Sequence, residues 1–209
     1  DGMLYKSILA RGGTIGMNET SVEMGDAPVQ NWRGSSRDFP PGKSAHTDPD
    51  LITAREKRKY RCRSCPIACG GIITSDNGEE SHKPEYESVM ALGGLSLNTD
   101  LDSIYRMNDL LNRAGMDTIS AGSTVAFAIE CSERGLLTPA DTGGLELRWG
   151  DAAAMTRLLE MMVAREGAGD LLADGSLRAA QRIGRGTEPY AVQAGGEELA
   201  MHDGRNDPG

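Results

Sequence analysis

A mainly α-helical fold is what this sequence predicts, and three observations carry the expectation. Aromatic residues are only 4% of the 209, as 2 Trp, 5 Tyr and 2 Phe. The core therefore falls to Leu, Ile, Val, Met and Ala, which suit packed helices better than aromatic-rich strands. In the second half, apolar residues recur at helical spacing behind aspartates placed to cap. Strand-type alternation is scarce, with Tyr190-Ala191-Val192 before Gly195-Gly196 the one tempting stretch.

Over residues 1–49 the chain is punctuated by Gly12-Gly13, Gly25, Pro28, Gly34-Ser35-Ser36 and Pro40-Pro41-Gly42, which leaves room only for short helical pieces, for example 20–24. A basic stretch, Arg55-Glu56-Lys57-Arg58-Lys59-Tyr60-Arg61, then leads into a cluster of cysteines, and residues 74–81 form a polar turn beyond it. Asp100 caps a first long helix whose Leu101, Ile104, Met107 or Asn108, and Leu111 share a face, ending near Gly115. Asp117 caps a second, running through Ile119, Val125, Phe127, Ile129 and Cys131 to Gly135. Asp151 opens a third over 152–165, with Met155, Leu158, Leu159 and Met162 on one side. A fourth spans 170–183, weakened in its middle by Gly175. The expected organisation is a Gly/Pro-rich opening segment over 1–50 and a helical body over 51–209 that is incomplete at its C-terminus.

Lys and Arg number 22 against 31 Asp and Glu, a net charge of -9. No sequence-wide positive field exists to hold a polyanion, which argues against nucleic acid as a partner. Apolar runs such as 124–129 fall far short of the ~20 residues of a membrane span, so no membrane partner is expected. No secretory signal is visible, and a chain running from Asp1 to Asp207-Pro208-Gly209 reads as a piece of something longer.

Three of the 4 cysteines, Cys62, Cys65 and Cys69, fall within eight residues, which is poor disulfide spacing and good metal-site spacing. The implied compartment is reducing and cytoplasmic. Thiolates bind soft metals, and a Cys-x-x-Cys turn lets two sulfurs converge while backbone N–H groups point at them. Cys69 adds a third sulfur one helical turn on, making three corners of a cubane iron–sulfur cluster. Structural zinc is the main competitor, but it normally wants a second Cys pair or a His pair, and His82 is isolated. Cys131, set among Val125, Phe127, Ala128 and Ile129, reads as a small core hydrophobe, which puts the fourth ligand outside this chain. The basic stretch has two readings: cations that stabilise a reduced anionic cluster and receive an acidic electron carrier, or a solvated helix face.

Three motifs in order, Cys62-x-x-Cys65-Pro66-Ile67-x-Cys69, Pro84-Glu85-Tyr86-Glu87 and Asn112-x-x-Gly115-Met116-Asp117-Thr118-Ile119-Ser120, make the chain resemble the tungsten- or molybdenum-dependent aldehyde:ferredoxin oxidoreductases. The likeness runs from Gly12-Gly13-Thr14 to His202-Asp203-Gly204-Arg205, and takes in Gly150-Asp151 and Arg165-Glu166-Gly167-x-Gly169-Asp170-Leu171-Leu172-Ala173. It implies the helical domains of that family, with the family's N-terminal β domain absent. It implies that Cys62, Cys65 and Cys69 bind a [4Fe–4S] cluster, with the fourth cysteine and a second pterin motif beyond Gly209. Glu87 matches a glutamate that the family places next to the metal, where a base handles a proton. Asp117 and Gly115 match the first pterin-binding motif; Asn112 stands at its first position, where an Asp is often found. A catalytic histidine of the family falls just past the end, so His202 is not that residue. Gly204 replaces a proline of the last motif.

The implied activity is oxidation of an aldehyde to a carboxylate at a tungsten or molybdenum bis-pterin centre, with electrons leaving through the cluster to ferredoxin. The family also admits other substrates, including as subunits of aromatic-ring reductases, and assembly as a homo-oligomer. A rival of a different kind is a non-catalytic electron-transfer or zinc-stabilised interaction module.

Overall fold

The computed structural model describes residues 2–39, 47–75 and 78–206. It is mainly helical, as the composition predicts. Pro40-Pro41-Gly42 and Asp207-Pro208-Gly209 lie outside the described residues. The opening segment holds more helix than its glycines suggest: α1 spans Gly2–Gly12, and after a 3-10 turn over Thr14–Met17 comes α2, Asn18–Met24. Gly12-Gly13 ends a helix here instead of preventing one, because Gly13 takes φ 78° just past the last helical residue. Gly25 does the same for α2 with φ 78°. A short α3, Pro49–Thr53, starts with Asp48 accepting the Asp50 N–H at 2.8 Å and proline in the first turn.

The basic stretch is not the solvated helix face that one of its two readings made it. It is strand β1, Glu56–Tyr60, paired antiparallel with β2, Gly70–Thr74, which pairs in turn with β3, Glu80–His82. Of the polar turn expected over 74–81, Thr74 ends β2, Glu80 and Ser81 begin β3, and residues 76–77 lie outside the described residues. Charged residues in β1 hid the alternation that marks a strand. Only β2 has an apolar middle, with Ile72 and Ile73 buried, so no period-2 signal was available.

Helix α4, Tyr86–Leu92, follows the sheet, then α5, Leu101–Ala114, and α6, Thr118–Glu133. The two aspartate caps are in place: Asp100 accepts the N–H groups of Asp102 and Ser103, and Asp117 accepts that of Ser120 at 2.7 Å. Ile104, Met107, Asn108 and Leu111 are buried on α5. Every residue of α6 from Ala121 to Cys131 is buried, so this helix is the axis around which the others pack. Its close approach to α4 needs Gly122, where a Cβ would lie 2.7 Å from the Ala91 carbonyl oxygen. Helix α7, Ala152–Ala164, buries Met155, Leu158, Leu159 and Met162, the predicted side, and Asp151 caps it.

The single helix expected over 170–183 is two. Helices α8, Ala168–Leu172, and α9, Ser176–Ile183, are separated by Gly175 at φ 90°, a conformation closed to a helix interior. Tyr190-Ala191-Val192 is not a strand: Glu188–Tyr190 is a 3-10 turn, and the strands are β4, Gln193–Ala194, and β5, Glu197–Glu198, on either side of Gly195-Gly196. One apolar cluster runs from Ile15 and Phe39 through α4–α9 to Met201.

Candidate functional site

The hairpin loop between β1 and β2 carries Cys62, Cys65 and Cys69. Tyr60 and Gly70 face each other at its base, and the Tyr60 ring crosses Gly70 so closely that a Cβ there would lie 2.4 Å from the ring. His82 stacks edge-on against the same ring, centroids 4.9 Å apart, which is a packing role and no thiol partner. Ser64 at φ 63° and Ala68 at φ 57° twist the loop into the left-handed region twice. The Cys65 N–H donates to the Cys62 carbonyl at 3.0 Å. The N–H groups of Ile67 and Ala68 turn to the Cys65 sulfur and hold its thiol below the ordinary range. That is a backbone cradle for a thiolate.

Cys62 is exposed, Cys65 and Cys69 are half-buried, and all three are free thiols. They share one loop, although among the described residues no three Cys, His, Asp or Glu side chains close into a single coordination sphere. Cys131 is fully buried in α6, and burial pushes its thiol up to about 12. It is the core hydrophobe that its neighbours predict.

Behind the loop lies a network that the sequence reading did not single out. Gly13 packs against the Cys69 carbonyl, where a Cβ would lie 2.8 Å away. The Thr14 N–H and hydroxyl donate to Glu85 Oε2 at 2.9 and 2.6 Å, and Thr14 Oγ1 accepts the Tyr86 N–H at 3.0 Å. The fully buried Lys83 ammonium donates to Glu85 Oε1 at 2.8 Å and to the Gly12 carbonyl at 3.0 Å. A buried lysine needs such a pair. The network ties the cysteine hairpin to the start of α4.

Glu87 stands in the first turn of α4, and its Oε2 accepts the Met201 N–H at 2.7 Å. Its Oε1 lies 3.4 Å from His202 Nε2, and His202 Nδ1 lies 2.9 Å from Asp26 Oδ2. The His202 ring stacks on Tyr86, centroids 4.9 Å apart and 21° between planes. Burial pushes the Tyr86 phenol above its ordinary range, and its O–H donates to the Met201 carbonyl at 2.7 Å. His202 was not legible as a neighbour of Glu87, nor Asp26 as a partner of His202, since more than a hundred residues separate each pair.

Asn112, Gly115 and Asp117 sit together where α5 turns into α6. Gly115 takes φ 68° and nothing lies within 4 Å of where its Cβ would be, so the turn is open to a flat ligand. Asn112 is exposed and its amide donates back to the Asn108 carbonyl at 2.8 Å. Asp117 borders a cavity of about 220 Å³ shared with Ser120, Thr124, Met162 and Leu172. The Thr124 hydroxyl there is buried without a hydrogen-bond partner, an orphan of the kind that a polar ligand satisfies. Among the described residues no helix is long and apolar enough to cross a membrane.

The body is mainly helical and carries a thiol-rich hairpin, a clamped carboxylate and a glycine-opened interhelical turn, the architecture of the helical domains that the sequence motifs imply. Residues 2–209 match the family described as aldehyde ferredoxin oxidoreductase, domains 2 & 3, and the chain belongs to that family. It is 40% identical over 156 residues to the tungsten-containing aldehyde ferredoxin oxidoreductase of Pyrococcus abyssi, covering 73% of this chain and 25% of that protein. It is 34% identical over 203 residues to the same enzyme of Pyrococcus furiosus, covering 96% of this chain and 33% of that protein. The chain thus spans a quarter to a third of the length of these relatives. Among solved structures, the active-site complex BamBC of benzoyl coenzyme A reductase with 1,5-dienoyl-CoA superposes with a TM-score of 0.73 at 28% identity, over 86% of this chain and 27% of that one.

Proposed function

We propose that this chain forms the cofactor-holding helical part of an enzyme that oxidises aldehydes to carboxylates and delivers the electrons to ferredoxin. In the overall change, RCHO and H2O become RCOO⁻ with release of three protons and two electrons, so a base is needed beside the reacting carbon. When bound, a tungsten or molybdenum bis-pterin centre supplies the redox chemistry and a [4Fe–4S] cluster the one-electron steps.

The residues fit those groups by their chemistry. Cys62, Cys65 and Cys69 are three free thiols on one loop, with backbone N–H groups already turned to Cys65, as an anionic cluster requires. Asp117 would accept hydrogen bonds from ring N–H groups of a pterin, the Thr124 hydroxyl lines the same cavity, and Asn112 would offer an amide in place of a charge. Gly115 lets the flat ring approach the turn. Glu87 is the proton-handling group.

The observation that carries the reading is the clamp on Glu87: one carboxylate oxygen is fixed by the Met201 N–H and the other is turned to His202, which holds the group in one orientation. Glu87→Gln in the full-length protein tests it. The expected result is a fall in kcat of about 100-fold or more with metal content intact; unimpaired turnover at full metal loading removes Glu87 from the mechanism.

A second reading keeps the cofactor chemistry and changes the substrate to an aromatic thioester that is reduced. The likeness to the benzoyl coenzyme A reductase complex favours it. A screen of aldehydes against an artificial electron acceptor, beside aromatic thioesters with a reduced one, separates the two.

A further inference from the structure

His202 lies between two carboxylates. Its Nδ1 is 2.9 Å from Asp26 Oδ2 and its Nε2 is 3.4 Å from Glu87 Oε1. A neutral imidazole has one N–H and one lone pair. With Nδ1 against a carboxylate, the hydrogen sits on Nδ1, and Nε2 then meets a Glu87 oxygen lone pair to lone pair. A proton carried by either atom would bridge that pair.

The ring stacks on Tyr86, whose hydroxyl anchors the Met201 carbonyl, and the Met201 N–H binds the other oxygen of Glu87. Of the three side chains His202 is the most open, at 52% exposed against 30% for Glu87 and 27% for Asp26, so the imidazole is where the line of groups meets solvent. Among the described residues, the ionisable groups in contact with the ring are Tyr86, Asp26 and Glu87.

We propose that His202 is a positioning residue for Glu87 and the outlet for the proton that Glu87 takes up. The Glu87 O–H bond breaks as the Nε2–H bond forms, and the Nδ1 proton passes to Asp26 and water. The step moves a proton only, so it needs no oxidant or reductant. The proposal rests on the reading of Glu87 as the proton-handling group.

In the full-length protein, His202→Ala and His202→Gln are expected to lower kcat about 10- to 100-fold with KM, iron and tungsten or molybdenum content unchanged. Added imidazole restores turnover to the alanine variant, since the site opens to solvent. A readout free of turnover is the ¹⁵N resonance of His202 in histidine-labelled protein. Glu87→Gln shifts the Nε2 signal and leaves Nδ1 in place.

The proposal is overturned if His202→Ala keeps kcat within about 2-fold of wild type, if imidazole restores nothing, or if the Nε2 signal ignores Glu87→Gln. An inactive Glu87→Gln beside a fully active His202→Ala leaves Glu87 standing and removes only the outlet. A fully active Glu87→Gln removes the reading beneath it.

Discussion

Replacing Gly13 by alanine tests whether the cysteine hairpin and the Glu87 helix are held as one unit. Gly13 sits at φ 78°, ψ -159°, a region essentially reserved for glycine, and forcing another residue into it costs about 1–3 kcal/mol. The new methyl group would also stand 2.7 Å from Glu85 Oε2, 2.8 Å from the Cys69 carbonyl oxygen and 3.0 Å from the Lys83 ammonium. The Cys69 oxygen belongs to the backbone and cannot step aside cheaply, so Glu85 must move. Its movement strains the bonds from Thr14 and Lys83, and a buried lysine left without its partner costs about 3–5 kcal/mol. Partial relaxation brings the expected total to about 3–5 kcal/mol rather than the sum. The assay is denaturant unfolding of full-length protein, read beside iron content, and both stability and iron retention are expected to fall. A Gly13→Ala protein within about 1 kcal/mol of wild type, loaded with iron as before, refutes the reasoning.

In metal-free protein, Cys65 is expected to alkylate faster than Cys131 and to keep reacting as pH falls below the ordinary thiol range, because backbone N–H groups lower its thiol while burial pushes that of Cys131 up to about 12. Mass spectrometry after iodoacetamide pulses at several pH values reads this, and equal labelling would contradict it. Asp117→Asn keeps the cap on α6 within about 0.5 kcal/mol, whereas Asp117→Ala loses about 1 kcal/mol. Pterin content measured in Asp117→Asn then reports the ligand role alone, and full retention argues against it. Gly169→Ala drives a methyl group to 2.0 Å from the Met161 carbonyl carbon, parting α8 from α7, and is expected to lower thermal stability by about 3 kcal/mol or more.

The caps, the faces of α5 and α7 and the three-cysteine loop were legible because each is a local pattern. Asp100, Asp117 and Asp151 stand directly before helices they cap, and Ile104, Met107 and Leu111 repeat at helical spacing. The sheet was not, because β1 reads Glu-Lys-Arg-Lys-Tyr with no buried face to mark a strand. The break at Gly175 was visible as a weakness and became a turn only when φ 90° was required there.

At the candidate site the division has the same cause. Sequence alone named the candidates: Cys62, Cys65 and Cys69 by the spacing of their thiols, and Glu87, Asn112, Gly115 and Asp117 by the resemblance of their motifs to those of a family. Tertiary structure decided which of those atoms have neighbours. It brought Thr14 and Lys83 to Glu85, set His202 between Glu87 and Asp26, and turned the N–H groups of Ile67 and Ala68 on Cys65. Such contacts join residues up to 176 positions apart along the chain, and a hydrogen bond depends on distance and angle in space, for which order in the sequence carries no term.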